Sequence, residues 1–222
     1  AGERCMAISA VVAVGEIADP LVEALKDKAA KLKLGPGDRD GVDMGPLITA
    51  AHRDKVRGYI DTGVAEGATI VLDGRGLKVP GYENGFFLGP TLFDHVTTNM
   101  TIYKDEIFGP VLIVLRAATL EAAIALVNAN PFANGTAIFT RSGAAARRFE
   151  HDIDVGMVGI NIPIPVPMAF FSFGGWKDSL YGDLHMHGTE GVQFYTRTKV
   201  VTTRWPSTNG PTGVSLAMPT HK

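Results

Sequence analysis

The only cysteine of this chain, Cys5, stands in "AGERCMA" beside Arg4. A thiolate is a strong nucleophile and the thioester it forms stays reactive, so a cysteine next to a cation suits acyl chemistry. A lone cysteine is as readily a small buried hydrophobe. Two features weigh toward the nucleophile. The Arg4 guanidinium favours the charged thiolate, and "CMAIS" can begin a helix. The positive end of a helix dipole would lower the thiol pKa, and its free N–H groups would suit a developing oxyanion. A cysteine hydrolase needs a histidine base. None of His52, His95, His151, His185, His187 and His221 stands in a local signature with Cys5.

A second stretch, "KDEIFGP" (Lys104 to Pro110), puts Glu106 and Phe108 on a loop just before an apolar run. It reads either as a solvated loop with Phe108 tucked into the core, or as a rigid loop whose carboxylate accepts hydrogen bonds from sugar hydroxyls. His185 and His187 in "HMH" could ligate a metal, but no third ligand has suitable spacing. Two surface histidines in a loop is the better reading, and no metal site is expected. "GPGDRDG" and "DGRGLKVPG" carry neither a dinucleotide fingerprint nor a P-loop and read as turns.

These groups need a scaffold, and the chain alternates helix-like and strand-like segments. Ala18 to Leu34 spaces Leu21, Leu25, Ala29 and Leu32 on one helical face, with Asp19 as cap, Pro20 at the first helical position and Gly35-Pro36 as the stop. Thr49 to Glu66 predicts a second helix with Val56, Ile60 and Val64 as its stripe. "ATIVL" reads as a strand and "FFLGPTLFDHV" as extended chain. "PVLIVLRA", "GTAIFT" and "GMVGIN" read as buried strands separated by the helices "LEAAIALVNAN" and "SGAAARRFEHDI". That rhythm predicts an α/β fold with a mostly parallel sheet sandwiched by helices. Alternate prolines in "NIPIPVP" predict a polyproline-like wall. "FYTRTKVVTTRW" has the composition of an edge strand, and residues 206–222 that of a mobile tail.

The bulk numbers exclude several classes. A net charge of -2 over 222 residues offers no basic field for nucleic acid. One cysteine cannot form an internal disulfide framework, which points to a reducing, cytoplasmic setting. The longest apolar run, Met6 to Val14, is far short of the ~20 residues a membrane span needs, so no membrane partner is expected.

Taken together, "AGERC", "EIFGPVL" and "SFGGWKDS" resemble, in order and spacing, the catalytic-cysteine, cofactor-ribose and FGG-x-K segments of the aldehyde dehydrogenase superfamily. "MGPLIT", "GYENGFFLGPTLF", "NPFANGTAIFT", "NIPIPVP" and "EGVQFYTRTKVVTTRW" resemble its methylmalonate-semialdehyde dehydrogenase branch. "DSLYGDLHMHGTEG" departs from the usual family segment in the way that branch does.

The resemblance implies Cys5 as nucleophile, with its own N–H in the oxyanion hole, NAD as hydride acceptor and coenzyme A as acyl acceptor. Methylmalonate or malonate semialdehyde would give propionyl-CoA or acetyl-CoA with loss of carbon dioxide. Glu106 would hold the ribose, Phe108 would pack near the nicotinamide and Phe173 would lie by the substrate pocket. Arg4 would grip the substrate carboxylate, or else merely pair with a neighbouring acid. The implied organisation is a catalytic unit at 1–183, an oligomerisation segment at 184–205 serving a homodimer or homotetramer, and the tail at 206–222. A hydrolytic aldehyde dehydrogenase and a silent assembly module remain as alternatives. The likeness covers only the C-terminal half of the family's chain, so a longer enzyme is expected, and these 222 residues alone are not expected to oxidise a substrate.

Overall fold

The computed structural model describes residues 1–203 and 205; the expected tail, 206–222, lies outside the described residues, as does Arg204 of the expected edge strand. No helix begins at Cys5. Residues 4–6 form a bend and turn, closed by the Ala7 N–H donating to the Arg4 carbonyl at 3.0 Å. The apolar run then becomes strand β1 (Ala10–Val14), because its β-branched Val11, Val12 and Val14 suit a pleated surface better than a helix.

Gly15, at φ +63°, turns the chain out of β1 into one 3-10 turn that runs directly into helix α1 (Ala18–Ala29). The helix therefore starts before the expected cap, and Pro20 falls in its first turn, where its missing N–H costs nothing. α1 also stops well short of Leu34. A neighbouring segment claims that backbone: Lys33 N–H donates to Asp43 at 2.9 Å, Asp43 N–H donates to Lys33 O at 2.8 Å, and Leu34 bridges Met44. Helix α2 (Ala50–Ala65) follows expectation at its start, where the Thr49 hydroxyl accepts from the His52 N–H at 3.1 Å. Val56 and Ile60 are buried, but Val64 is exposed, and Gly63 takes the inward position instead.

Strands β2 (Thr69–Leu72) and β3 (Thr91–Asp94), the short helix α3 (Thr101–Lys104) and strand β4 (Val111–Ala117) complete the central layer. The sheet order is β1-β4-β3-β2, parallel except for the antiparallel edge strand β2. Side-chain alternation in β4 divides the core. Val111, Ile113 and Leu115 join Val56, Ile60, Phe93 and Ile102 under α2 and α3, while Val114 joins Ala13, Ala18 and Val22 under α1. The expected helix-covered, mostly parallel α/β sheet is thus present. At the end of β3, the carboxylate of Asp94 is buried. Burial alone would raise its pKa; bonds from Arg116 at 3.1 and 2.6 Å and from the His95 N–H outweigh that and hold it below the usual range.

Beyond α4 (Leu120–Asn128) and β5 (Phe132–Ala133), strand β6 (Gly135–Ile138), helix α5 (Gly143–Asp152) and strand β7 (Met157–Ile160) form a second unit. Helices α4 and α5 are capped by Thr119 and Ser142. β6 and β7 pair only with each other, in parallel. Both edges of β4 are taken by β1 and β3, and the three strands of the expected rhythm do not share one sheet. β6 is half-exposed rather than buried. The proline wall bends: Val166 N–H donates to Ile164 O at 2.9 Å, a three-residue turn that interrupts a straight polyproline run. β8 (Trp176–Lys177) pairs antiparallel with β5. Helix α6 (Glu190–Tyr195) absorbs the first residues of the expected edge strand. The rest, 196–203, is exposed and pairs with no strand among the described residues.

Candidate active site

The Glu106 loop is built by one anchor. Ile107 is 8% exposed and belongs to the core cluster beneath α2, which turns Glu106 and Phe108 outward on either side. Of the two aromatic placements weighed for Phe108, burial is excluded: the residue is 39% exposed. Its backbone sits at φ +57°, a left-handed conformation that costs a bulky L-residue roughly 1–2 kcal/mol. That conformation is held by the His52 ring, whose Nε2 lies 2.7 Å from the Phe108 carbonyl.

The Cys5 loop lies directly against this one. Gly2 has φ +73°, and a Cβ there would fall 2.1 Å from the Gly109 carbonyl oxygen, so only glycine permits the approach. Glu3 reaches the same place: its carboxylate is 3.4 Å from His52 Nε2 and accepts from the Ile48 N–H at 3.3 Å. On the other flank Asn134 Nδ2 donates to the Cys5 carbonyl at 3.3 Å. Gly135 leaves room for Met6, whose methyl would otherwise meet a Cβ at 2.7 Å.

The glycines after Phe173 close the arrangement. A Cβ on Gly175 would lie 2.6 Å from Asn134 Cα, and Ser179 Oγ accepts from the Ala133 N–H at 3.0 Å. Phe173 is half-buried and meets the His187 ring edge-on, centroids 5.8 Å apart. His185 is not a surface histidine. Its ring is packed against Gly174, with Nδ1 3.1 Å from Glu190. Glu190 also accepts from the Ser172 hydroxyl at 2.6 Å; that bond first, then His185, holds its carboxyl below the ordinary range. Residues on either side of position 183 are therefore tied together. Among the described residues no cluster of three or more His, Cys, Asp and Glu is placed to hold a metal.

Cys5 is exposed, which disposes of the buried-hydrophobe reading, while the turn that follows it removes the helix-dipole argument. Arg4 is exposed and makes no ion pair among the described residues, Glu3 being occupied with His52 and Ile48. Two recesses, of about 120 Å³ beside Leu72 and Pro90 and about 270 Å³ beside Lys55 and Tyr59, are not lined by Cys5, Glu106 or Phe108. Contacts through Gly2 and Gly109, and through Asn134 and Gly175, thus link the three motif loops. Chemically, these loops offer an accessible thiol, a guanidinium, an outward aromatic and, at Glu106, a carboxylate with no partner among the described residues. The carboxylate is acceptor-only and suits vicinal hydroxyls. Glu3, His52 and Asn134 were missed from the sequence. Each acts on a partner far along the chain, and only the Gly2 and Gly109 positions within the quoted motifs hinted at a close backbone approach.

A family profile described as aldehyde dehydrogenase matches residues 1–201. A malonate-semialdehyde dehydrogenase of Pseudomonas aeruginosa is 58% identical over 98% of this chain and 44% of its own. The crystal structure of methylmalonate-semialdehyde dehydrogenase from Oceanimonas doudoroffii superposes with a TM-score of 0.87 at 59% identity, covering 93% of this chain and 42% of that one. A Mycobacterium tuberculosis aldehyde dehydrogenase complexed with NAD+ gives 0.80 at 34% identity, covering 89% and 40%. The chain spans less than half the length of these relatives.

Proposed function

The chain belongs to the aldehyde dehydrogenase family, and from that premise we propose that it supplies the nucleophile and part of the cofactor site of an NAD-dependent, CoA-acylating dehydrogenase of methylmalonate or malonate semialdehyde. The observation that carries this reading is the packing of the exposed Cys5 loop on the Glu106–Phe108 loop through Gly2 and Gly109. We assign the catalytic unit to 1–183 and a homo-oligomer contact to 184–205, where Val192, Tyr195, Val200 and Val201 are exposed.

Cys5 Sγ attacks the aldehyde carbon. The resulting thiohemiacetal oxygen is met by the Cys5 N–H, which donates to no protein acceptor among the described residues. Glu106 accepts from the ribose hydroxyls and Phe108 walls the ring beside it. NAD+, when bound, supplies the hydride acceptor. Loss of the aldehyde hydrogen leaves a thioester on Cys5. The thiol of coenzyme A, deprotonated, adds to its carbonyl, and the Cys5 thiolate leaves. The substrate carboxylate is β to a thioester carbonyl, so its C–C bond breaks to give carbon dioxide and an enolate that takes a proton.

The test is product analysis with the full-length protein, methylmalonate semialdehyde and NAD+, with and without coenzyme A. Propionyl-CoA, carbon dioxide and NADH are expected in equal amounts. Free acid formed at the same rate without coenzyme A would establish the hydrolytic reading instead.

Arg4, which makes no ion pair among the described residues and is adjacent to the nucleophile, is assigned as the carboxylate clamp. Arg4→Lys is expected to lower kcat/KM for methylmalonate semialdehyde by about 10- to 100-fold, the range for a lost charge-assisted bond. The loss on propionaldehyde should be much smaller. Equal losses on the two aldehydes would remove the clamp.

A further inference from the structure

The Glu106 loop carries a strained residue, and the group that restrains it comes from a distant element. Phe108 holds φ +57° although it is neither glycine nor asparagine. Its carbonyl is met at 2.7 Å by Nε2 of His52, 56 residues earlier, in the first turn of α2. The same nitrogen is 3.4 Å from a carboxylate oxygen of Glu3, two residues before Cys5. A carbonyl and a carboxylate only accept, so Nε2 must carry its proton, whichever charge the ring bears. The Glu3 oxygen also takes the Ile48 N–H, which fixes it beside the ring. The imidazole is half-buried, packed between the two loops, with its side chain 19% exposed.

We propose that His52 is a positioning residue for the cofactor, its Nε2–H holding the Phe108 carbonyl so that the Glu106–Phe108 loop keeps its outward turn where it packs on the Cys5 loop, with Glu3 steadying the ring. The inference rests on the ribose role proposed for Glu106. It adds a mechanical link, Cys5 loop to Glu3 to His52 to Phe108, through which the nucleophile and the cofactor loop keep one spacing. Without the bond, Phe108 relaxes toward ordinary backbone angles and carries Glu106 with it. Ile107, buried in the core, keeps the fold itself unaffected.

The experiment uses the full-length protein and the variants His52→Ala, His52→Gln and Glu3→Ala. Hydrogen exchange is followed in the peptide covering Asp105 to Gly109 without NAD+, the Kd for NAD+ is measured by calorimetry, and kcat and KM are measured for both substrates. For His52→Ala we expect faster exchange in that peptide and about a tenfold rise in the Kd and KM for NAD+, as one lost hydrogen bond allows. The KM for semialdehyde and the Tm should be nearly unchanged. Glutamine, whose amide N–H can still donate to the carbonyl, should restore most of the NAD+ affinity, and Glu3→Ala should speed loop exchange to a lesser degree. Exchange and Kd within twofold of the parent for His52→Ala would overturn the proposal, as would a glutamine variant no better than alanine. A parent protein that binds no NAD+ would sink the cofactor reading instead, and the exchange data would still decide whether His52 holds the loop.

Discussion

Cys5→Ala is expected to leave the full-length protein folded and to lower kcat for semialdehyde oxidation by at least about 10⁴-fold, the scale on which removal of a nucleophile acts. The two halves of that expectation have separate grounds. Cys5 is exposed, so its sulfur fills no core volume. The turn is held by backbone and by a neighbour: Ala7 N–H donates to the Arg4 carbonyl and Asn134 Nδ2 to the Cys5 carbonyl. Truncation to alanine removes neither bond, so Tm should stay within a degree or two. Cys5→Ser should be nearly as inactive, because a hydroxyl is a far weaker nucleophile than a thiolate and is hardly ionised at neutral pH. The assay is NADH formation with methylmalonate semialdehyde and coenzyme A, alongside NAD+ binding by calorimetry. A variant that binds NAD+ normally and forms no NADH places the loss at the nucleophile. Activity within 100-fold of the parent would mean that the reacting group lies elsewhere.

What could be read ahead of the structure divides along the range of the forces involved. The starts of α2, α4 and α5 were legible because a hydroxyl cap acts over three residues, and Thr49, Thr119 and Ser142 each make that bond. β4 was legible because a strand covered on both faces must be apolar almost throughout. The errors lie where partners distant in sequence decide. α1 ends early because Asp43 takes the Lys33 backbone. β6 pairs with β7 and not with β4, whose two edges are held by β1 and β3 from distant parts of the chain. The residues after Cys5 become strand because β4 offers a parallel partner, Ala10 to Val14 lying opposite Ile113 to Ala117. The site follows the same rule. Cys5 and Glu106 were singled out as motif residues, each from its own short stretch. Glu3, His52 and Asn134 were not, because their partners are fixed only when α2, β5 and the two glycine contacts are in place. His185, assigned to a surface loop, is covered for the same reason: Gly174 and Glu190 reach it from either side.

Phe93→Ala is expected to lower the stability of the central sheet by about 3–5 kcal/mol, the cost of removing a buried phenyl ring and leaving its cavity. Phe93 is 0% exposed and lies in the middle of β3, opposite Ile70 on β2 and Ile113 on β4. Its ring fits closely under α2: a Cβ on Gly63 would come within 3.1 Å of it. Ile102 presses on the same glycine, so the surroundings have little freedom to collapse into the space. The readout is exchange of the Leu112 to Leu115 amides, which report opening of this sheet without requiring two-state global unfolding. The cluster that loses the ring also contains Ile107, the anchor of the Glu106 loop. Weaker NAD+ binding should therefore accompany the stability loss, which makes Phe93→Ala the converse of His52→Ala: one loosens the loop by softening the floor beneath Ile107, the other by releasing the Phe108 carbonyl above it. Phe93→Leu, which keeps much of the volume, should cost less on both counts. A loss below about 1 kcal/mol for the alanine variant would show that α2 can settle onto β3 without the ring, and the floor argument would fall with it.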